Sequence, residues 1–387
     1  MMLAPALALL APLLCASAPA TEVEAGVRSE ARVRGAQASS TSLQPSFDFE
    51  IDPSAAARLA WHAADLSLSY SPQLIVPTSG SSLVRLLHRV DLSLEGRTES
   101  GVRLFLTERA SYGDADLSPV SQAQTDPTAP LQTLPATSIT VHYLSSQTGA
   151  GLDAALSRHA RFSLSAGWLV SGGIDRAAQQ ALPLQRGPLG ELSLSVEATR
   201  LDTLQTRLDG SSALFTTGLR ATVAGLEESW LRALAPSWSL SLGAGLGVTD
   251  VQGAAPSRLR WLPIGEAGLS YKPADRGGAV QAGLSVRAAP VIDRITGEAY
   301  ERIDGRLAAG WAPRRDLLLS AQAGAGVVAT GTQSGSTLAL FQAAATYASG
   351  TDWALSLGVR AAHQALPTSF DEFGAFLGFA AQVKGRL

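Results

Sequence analysis

The sequence predicts an all-β fold, a transmembrane antiparallel up-and-down β-barrel of about 18 strands. Three observations lead there. Apolar and polar residues alternate along most of the chain after residue 20. The alternating segments are separated in turn by short polar turns and by longer, more variable loops. Finally, 46% of the chain is hydrophobic and only 16% is charged, with a mean hydropathy of +0.13. Yet no segment beyond residue 20 offers the roughly 18 consecutive apolar residues of a membrane helix.

Residues 1–20 read as a secretory signal peptide. Leu7 to Leu14 form its apolar core, and Ala18-Pro19-Ala20 supply small residues for cleavage, so Thr21 begins the mature chain. No Lys or Arg precedes the core, which leaves the α-amino group as its positive charge. Pro5 and Pro12 disfavour a retained membrane helix. Cys15, the one cysteine, leaves with the peptide, and Leu14 stands where a lipid-anchor signal wants a small residue. Residues 21–387 form the barrel. In the first strand Val23, Ala25, Val27, Ala31 and Val33 share one parity. Glu22, Glu24, Arg28, Glu30, Arg32 and Arg34 share the other. Such alternation gives a strand one apolar and one polar face. It returns at Leu66, Leu68 and Tyr70, at Val280 to Ala288, and at Phe373 to Val383. The pattern shows no amphipathic helix.

The short turns resemble one another. Trp61-His62-Ala63-Ala64, Ala235-Pro236-Ser237-Trp238, Ala312-Pro313-Arg314-Arg315 and Ala348-Ser349-Gly350-Thr351 each lead into a new alternating run. They recur at the spacing of one long hairpin. Longer connections fall between them, the longest at 113–134. The segment 203–216 is the weakest strand; losing it and a neighbour would leave about 16. An even count places both ends of the barrel on the short-turn side. Trp61, Trp238, Tyr271, Trp311, Tyr347 and Trp353 lie beside the short turns, as one aromatic girdle at a membrane–water boundary would. Segments such as 258–271 exceed the roughly 9–11 residues a tilted strand needs to span and the usual 5–6 or so of a sandwich strand.

Taken together, the leader, the alternation, the turn–loop asymmetry and the girdle resemble bacterial outer-membrane β-barrel proteins of porin-like architecture. The likeness covers residues 21–387 and is to an architecture. It implies an outer-membrane location, with partners that include outer-membrane lipid and the assembly machinery, and it leaves homo-oligomers open. The last residues, Val383-Lys384-Gly385-Arg386-Leu387, depart from the terminal aromatic common in such proteins.

The inward parity is uneven. Arg28, Arg32, Arg34, Asp48, Glu50, Asp52, Arg85, Arg89, Asp91 and Arg103 form a mixed-charge cluster on the early strands. Ser320, Gln322, Gly324, Gly326, Gln342 and Gly358 make a small polar wall later on, with Arg360 its main charge. The cluster fits a water-filled channel that orders solute, and equally a ladder of structural ion pairs. Its signs nearly cancel, so strong ion selectivity is not expected. The resemblance to general porins, whose third extracellular loop has this position and folds inward, implies that the 113–134 loop could narrow the pore, with Asp114, Asp116 and Asp126 facing lumen arginines; a solvated surface loop is the alternative. His142, read as lumen-facing near Ser145 and Ser146, could form a hydrolase dyad, but no Gly-x-Ser-x-Gly elbow accompanies it. No cofactor or metal is called for. A net charge of −3 gives no footprint for nucleic acid. The expected function is a porin-like passive channel for small solutes or ions. A non-conducting scaffold or partner-binding barrel is the alternative, and a lipid-acting enzyme the remote one.

Overall fold

The structure is a computed structural model that describes residues 20–38, 44–77, 84–117, 139–253, 258–273, 280–293, 296–331, 334–350, 352–365 and 369–386. The first part of the wall is β1 (Ala20–Ala38), β2 (Gln44–Ala60), β3 (Ala64–Tyr70), β4 (Gln73–Pro77), β5 (Arg85–Arg97), β6 (Arg103–Leu117) and β7 (Ile139–Ala155). Next come β8 (Ala160–Gly173), a short helix α1 (Arg176–Ala181), β9 (Gln185–Glu197), β10 (Asp202–Phe215), β11 (Arg220–Ala235), β12 (Trp238–Gln252) and β13 (Arg258–Tyr271). The wall ends with β14 (Val280–Ile292), β15 (Ala299–Arg314), β16 (Leu317–Val328), β17 (Thr337–Ser349), β18 (Trp353–Ala365) and β19 (Phe370–Arg386).

Apart from β3 and β4, each strand pairs antiparallel with its neighbours in sequence, and β19 returns to β1 from Glu22↔Arg386 to Ala38↔Phe370. β3 and β4 are halves of one strand, both lying between β2 and β5. Ser71-Pro72 separates them; proline has no N–H for the ladder, which breaks there. The result is a closed barrel of 18 strands. Closure satisfies the strands' backbone groups without water, which lipid requires. The weakest predicted strand is present as β10, paired with β9 and β11.

Alternation sorts the two faces. Val27, Val33, Phe47, Leu226, Leu246, Leu284, Leu357, Phe373 and Leu377 are exposed on the outside. Their neighbours in sequence point inward, where Glu30, Glu50, Glu227, Arg302 and Arg360 are buried. This is the polarity a lipid-embedded barrel needs and the reverse of a soluble core. The proposed signal peptide lies outside the described residues except for Ala20, which begins β1.

Near the loop end the interior is filled by apolar residues, and there the expected parity fails. α1 folds inward, so Val141 and Tyr143 turn to the lumen to pack on Ala178, Ala181 and Leu182. Asp175 caps the helix, accepting from the Ala178 N–H at 2.8 Å. Gly173 lies against it, where a Cβ would collide with Ala178. Six residues are too few to show helical periodicity, so the sequence pattern missed α1. A second apolar cluster, Phe215, Leu219, Ala221, Val251 and Ala299, packs at the same end beside β10–β12.

Candidate functional site

Charged side chains converge in the lumen. On the early wall, β1 and β2 set Arg28 opposite Asp52, Glu30 opposite Glu50 and Arg32 opposite Asp48. Arg28 and Arg32 donate to the Glu30 carboxylate at 3.1 and 2.7 Å. Arg32 also reaches Glu50. Glu50 Oε1 accepts from Gln73 Nε2 at 2.5 Å, and Gln73 Oε1 accepts from Arg89 Nη2 at 2.6 Å. From the far end of the chain Arg360 on β18 reaches across β19 to Glu30, at 2.8 and 3.4 Å. Its guanidinium lies 4.0 Å from the centre of the Phe376 ring. Arg85 approaches Asp48 at 3.8 Å, both buried.

These contacts form one belt: Arg360, Glu30, Arg32, Glu50, Gln73 and Arg89. Glu30 is 2% exposed and Arg360 8%. Taking such charges out of water costs several kcal/mol or so per ion, offset only when each is paired and hydrogen-bonded. The belt therefore holds one geometry, because a side chain that left it would strand a buried charge.

The other predicted charges lie elsewhere. Arg103 sits near the short-turn end, bound to Glu95 at 2.5 Å and Asp153 at 3.1 Å. Asp91 is 3.8 Å from Arg109, and both are exposed. Arg34 stands in register with Ser46 and Gly374. The constriction-loop reading needs correction at Asp114. β6 runs on to Leu117 and turns Asp114 outward, where its carboxylate bonds His142 Nδ1 at 3.0 Å instead of facing lumen arginines. Asp116 falls in the same strand, opposite Thr140. Asp126 lies outside the described residues. His142 also faces outward, because its neighbours Val141 and Tyr143 are drawn in by α1. Ser145 is on the opposite face, and Ser146 donates to Glu108 at 2.7 Å, so neither hydroxyl is placed to form a dyad.

Two cavities occupy the lumen toward the short turns. One, of 1060 Å³, lies on the charged wall between Glu22, Glu24, Arg58, Asp91, Glu95, Arg109 and Lys384. The other, of 480 Å³, lies on the opposite wall, where serine, glycine and glutamine line it together with Leu231, Leu340, Phe341, Arg306 and Arg360. Trp238, Trp311, Tyr347 and Trp353 are exposed on the outer face at this end. Trp238 and Tyr271 are cross-strand partners with ring centres 4.9 Å apart, and Tyr347 and Trp353 are 5.7 Å apart. Trp61 opens its turn by donating to the Ala64 carbonyl at 2.7 Å.

The charge pattern of the sequence does not single out Gln73 in the belt, nor Phe376 against Arg360. Phe376 had a signal: its parity is opposite to that of Phe373 and Phe379. Gln73 shares the polar parity of Asp65, Ser67 and Ser69, but carries no charge to mark it among the lumen residues.

A closed 18-strand barrel, apolar outside and charged within, defines an outer-membrane β-barrel protein with porin-like architecture. The chain belongs to the EpsX exopolysaccharide export family, whose model matches residues 13–387. Among solved structures it is similar to OccK11 (OpdR) of Pseudomonas aeruginosa, at 13% identity and a TM-score of 0.48, over 93% of this chain and 96% of that one. It is similar to OccAB4 of Acinetobacter baumannii at 12% identity and a TM-score of 0.48, over 93% and 98%. The outer membrane protein OpdK of Pseudomonas aeruginosa matches at 12% identity and 0.48, over 94% and 99%. No curated protein matches the chain.

Proposed function

We propose that the chain is a passive outer-membrane pore and that its cargo is an exopolysaccharide leaving the cell. The observation that carries the pore is the pair of lumen cavities, which together leave open space with polar and charged side chains in its lining on the short-turn side of the barrel. The cargo is suggested by the family and suits the lining, since hydroxyls and amides both donate to and accept from sugar hydroxyls. The belt of ion pairs keeps the early wall rigid while the cargo passes the small-residue wall. The outer Trp and Tyr side chains act as the membrane-boundary girdle. The barrel works without catalysis, and outer-membrane lipid and the assembly machinery are its partners.

The packed loop end favours a second reading, a barrel that stays shut until a partner or cargo moves α1. Planar-bilayer conductance separates the two. The pore reading expects stable steps from the purified protein. Silence in the native protein, with steps appearing once α1 is deleted, would favour the shut barrel. In cells that make a surface polysaccharide, loss of the gene should leave polymer in the periplasm. Unchanged surface polymer would overturn the cargo.

A further inference from the structure

The outer face of the barrel carries charge at its loop end. Arg220 opens β11 and Arg186 lies near the start of β9, and both are in register with Leu214 of β10, the strand between them. Paired residues of an antiparallel sheet share a face. Leu214 is exposed on the outside with Leu204 and Leu208, so both arginines also point outward, and both are exposed. Among the described residues neither has an ion-pair or hydrogen-bond partner. The outward Arg232 at the short-turn end differs, since Asp202 holds it at 3.4 Å. Asp250, outward on β12 and in register with Thr222, accepts from Gln252 at 2.9 Å.

The strands fix the height of the pair. Arg220 and Trp230 share the outer face of β11, ten residues apart. Trp230 stands at the short-turn end with the girdle, and a tilted strand crosses the bilayer core in about 9–11 residues. Arg220 therefore stands at the far boundary, in the headgroup layer. Trp168, exposed on β8, faces Pro188, two residues below Arg186, and marks the same boundary. The backbones of β9 and β11 lie about 10 Å apart, two strand spacings, so their two long side chains can close on one anion. Just below, Thr222 donates to Ser212 at 3.2 Å, which adds exposed hydroxyls. Leu214 and Leu208 continue from there into the acyl layer.

We propose that Arg186 and Arg220 bind the phosphate of an outer-leaflet lipid headgroup, whose acyl chains run down β10. The guanidinium fork offers phosphate two parallel hydrogen bonds, and basic side chains at headgroup height recognise anionic lipids. The leucines on the strand between the arginines favour a lipid over a phosphate or an acidic polymer in water. The inference needs the barrel in its membrane, and it is independent of whether the barrel conducts and of what it carries.

The test is native mass spectrometry of the full-length protein folded in non-ionic detergent. It is titrated with diphosphorylated lipid A and with lipid A stripped of both phosphates. The phosphorylated lipid should bind at least about ten-fold more tightly, a difference of one charge-assisted contact. Arg186→Gln and Arg220→Gln together should lower that preference to about three-fold or less. Both side chains are exposed, so heat-modifiable gel mobility should stay native. Arg158→Gln and Arg200→Gln together make the same change of net charge at exposed short turns and should leave the preference intact. Neither inorganic phosphate nor polygalacturonate, each at the lipid's concentration, should displace the lipid. Equal binding of the two lipids would overturn the proposal, as would an equal loss in the short-turn variant. Displacement by inorganic phosphate would make the site one for free anions, and displacement by polygalacturonate one for an acidic polymer. Either result overturns the headgroup assignment.

Discussion

The two walls of the lumen solve the same problem in opposite ways. From β18 through β1 to β5 the inward positions carry long charged side chains that reach across strands and fill the space with one another. Near the short turns, the inward positions of β12 to β17 are largely serine, glycine, glutamine and alanine, which leave space open, whereas Arg287, Arg302 and Asp304 stand farther toward the loops. Arg360 joins the two, since it borders the open cavity and is anchored to Glu30 at 2.8 Å. Width in this lumen is thus set by side-chain length on a uniform backbone, and rigidity by how many buried charges share one carboxylate.

The largest expected effect comes from the carboxylate that three arginines share. Glu30→Ala leaves Arg28, Arg32 and Arg360 facing one another, and should cost about 3–5 kcal/mol of stability. A lowered temperature of heat-modifiable mobility reports it; an unshifted temperature would mean that the belt is loosely held. Arg360→Met removes both the Glu30 contact and the Phe376 stack, the latter worth up to about 2 kcal/mol when desolvated. It should also widen the passage, so single-channel conductance rises as melting temperature falls.

On the opposite wall stability and conductance should part company. Ser285→Leu, projecting into the open cavity, should reduce conductance while changing stability by no more than about 0.5 kcal/mol. A large loss of stability there would show that the small wall is packed after all. The smallest effect belongs to the short-turn end. Arg103→Gln breaks pairs to Glu95 and Asp153 that are about 40% exposed, worth about 0.2–1 kcal/mol and weakened by salt. Chemical-denaturation midpoints at low and high salt should converge for this variant and the native protein, whereas the deficit of Glu30→Ala should persist at both.

The local chemistry of the wall could be read along the chain. Glu22 to Arg34 alternate with Val23 to Val33, and that alone sets which side chains share a face. Trp238, Tyr271, Trp311, Tyr347 and Trp353 mark one end of the barrel because each stands beside a short turn. Parity misled at His142 and Asp114, both of which turn outward. The rule that apolar residues face lipid holds only where the lumen is wet, and at the loop end α1 makes the interior apolar beside Val141 and Tyr143.

What the sequence by itself determined is the strand period, the turn–loop asymmetry and the unequal charge of the two walls, because each depends on residues close together in the chain. Only the tertiary structure decided which strands become neighbours across the seam. Glu30 and Arg360 are 330 residues apart and bonded, since the β1–β19 register closes the sheet and leaves Arg360 one strand away from Glu30. No local pattern encodes that contact. It follows from the requirement that a sheet in lipid have no free edge, and the belt of buried charge exists only after that edge is closed.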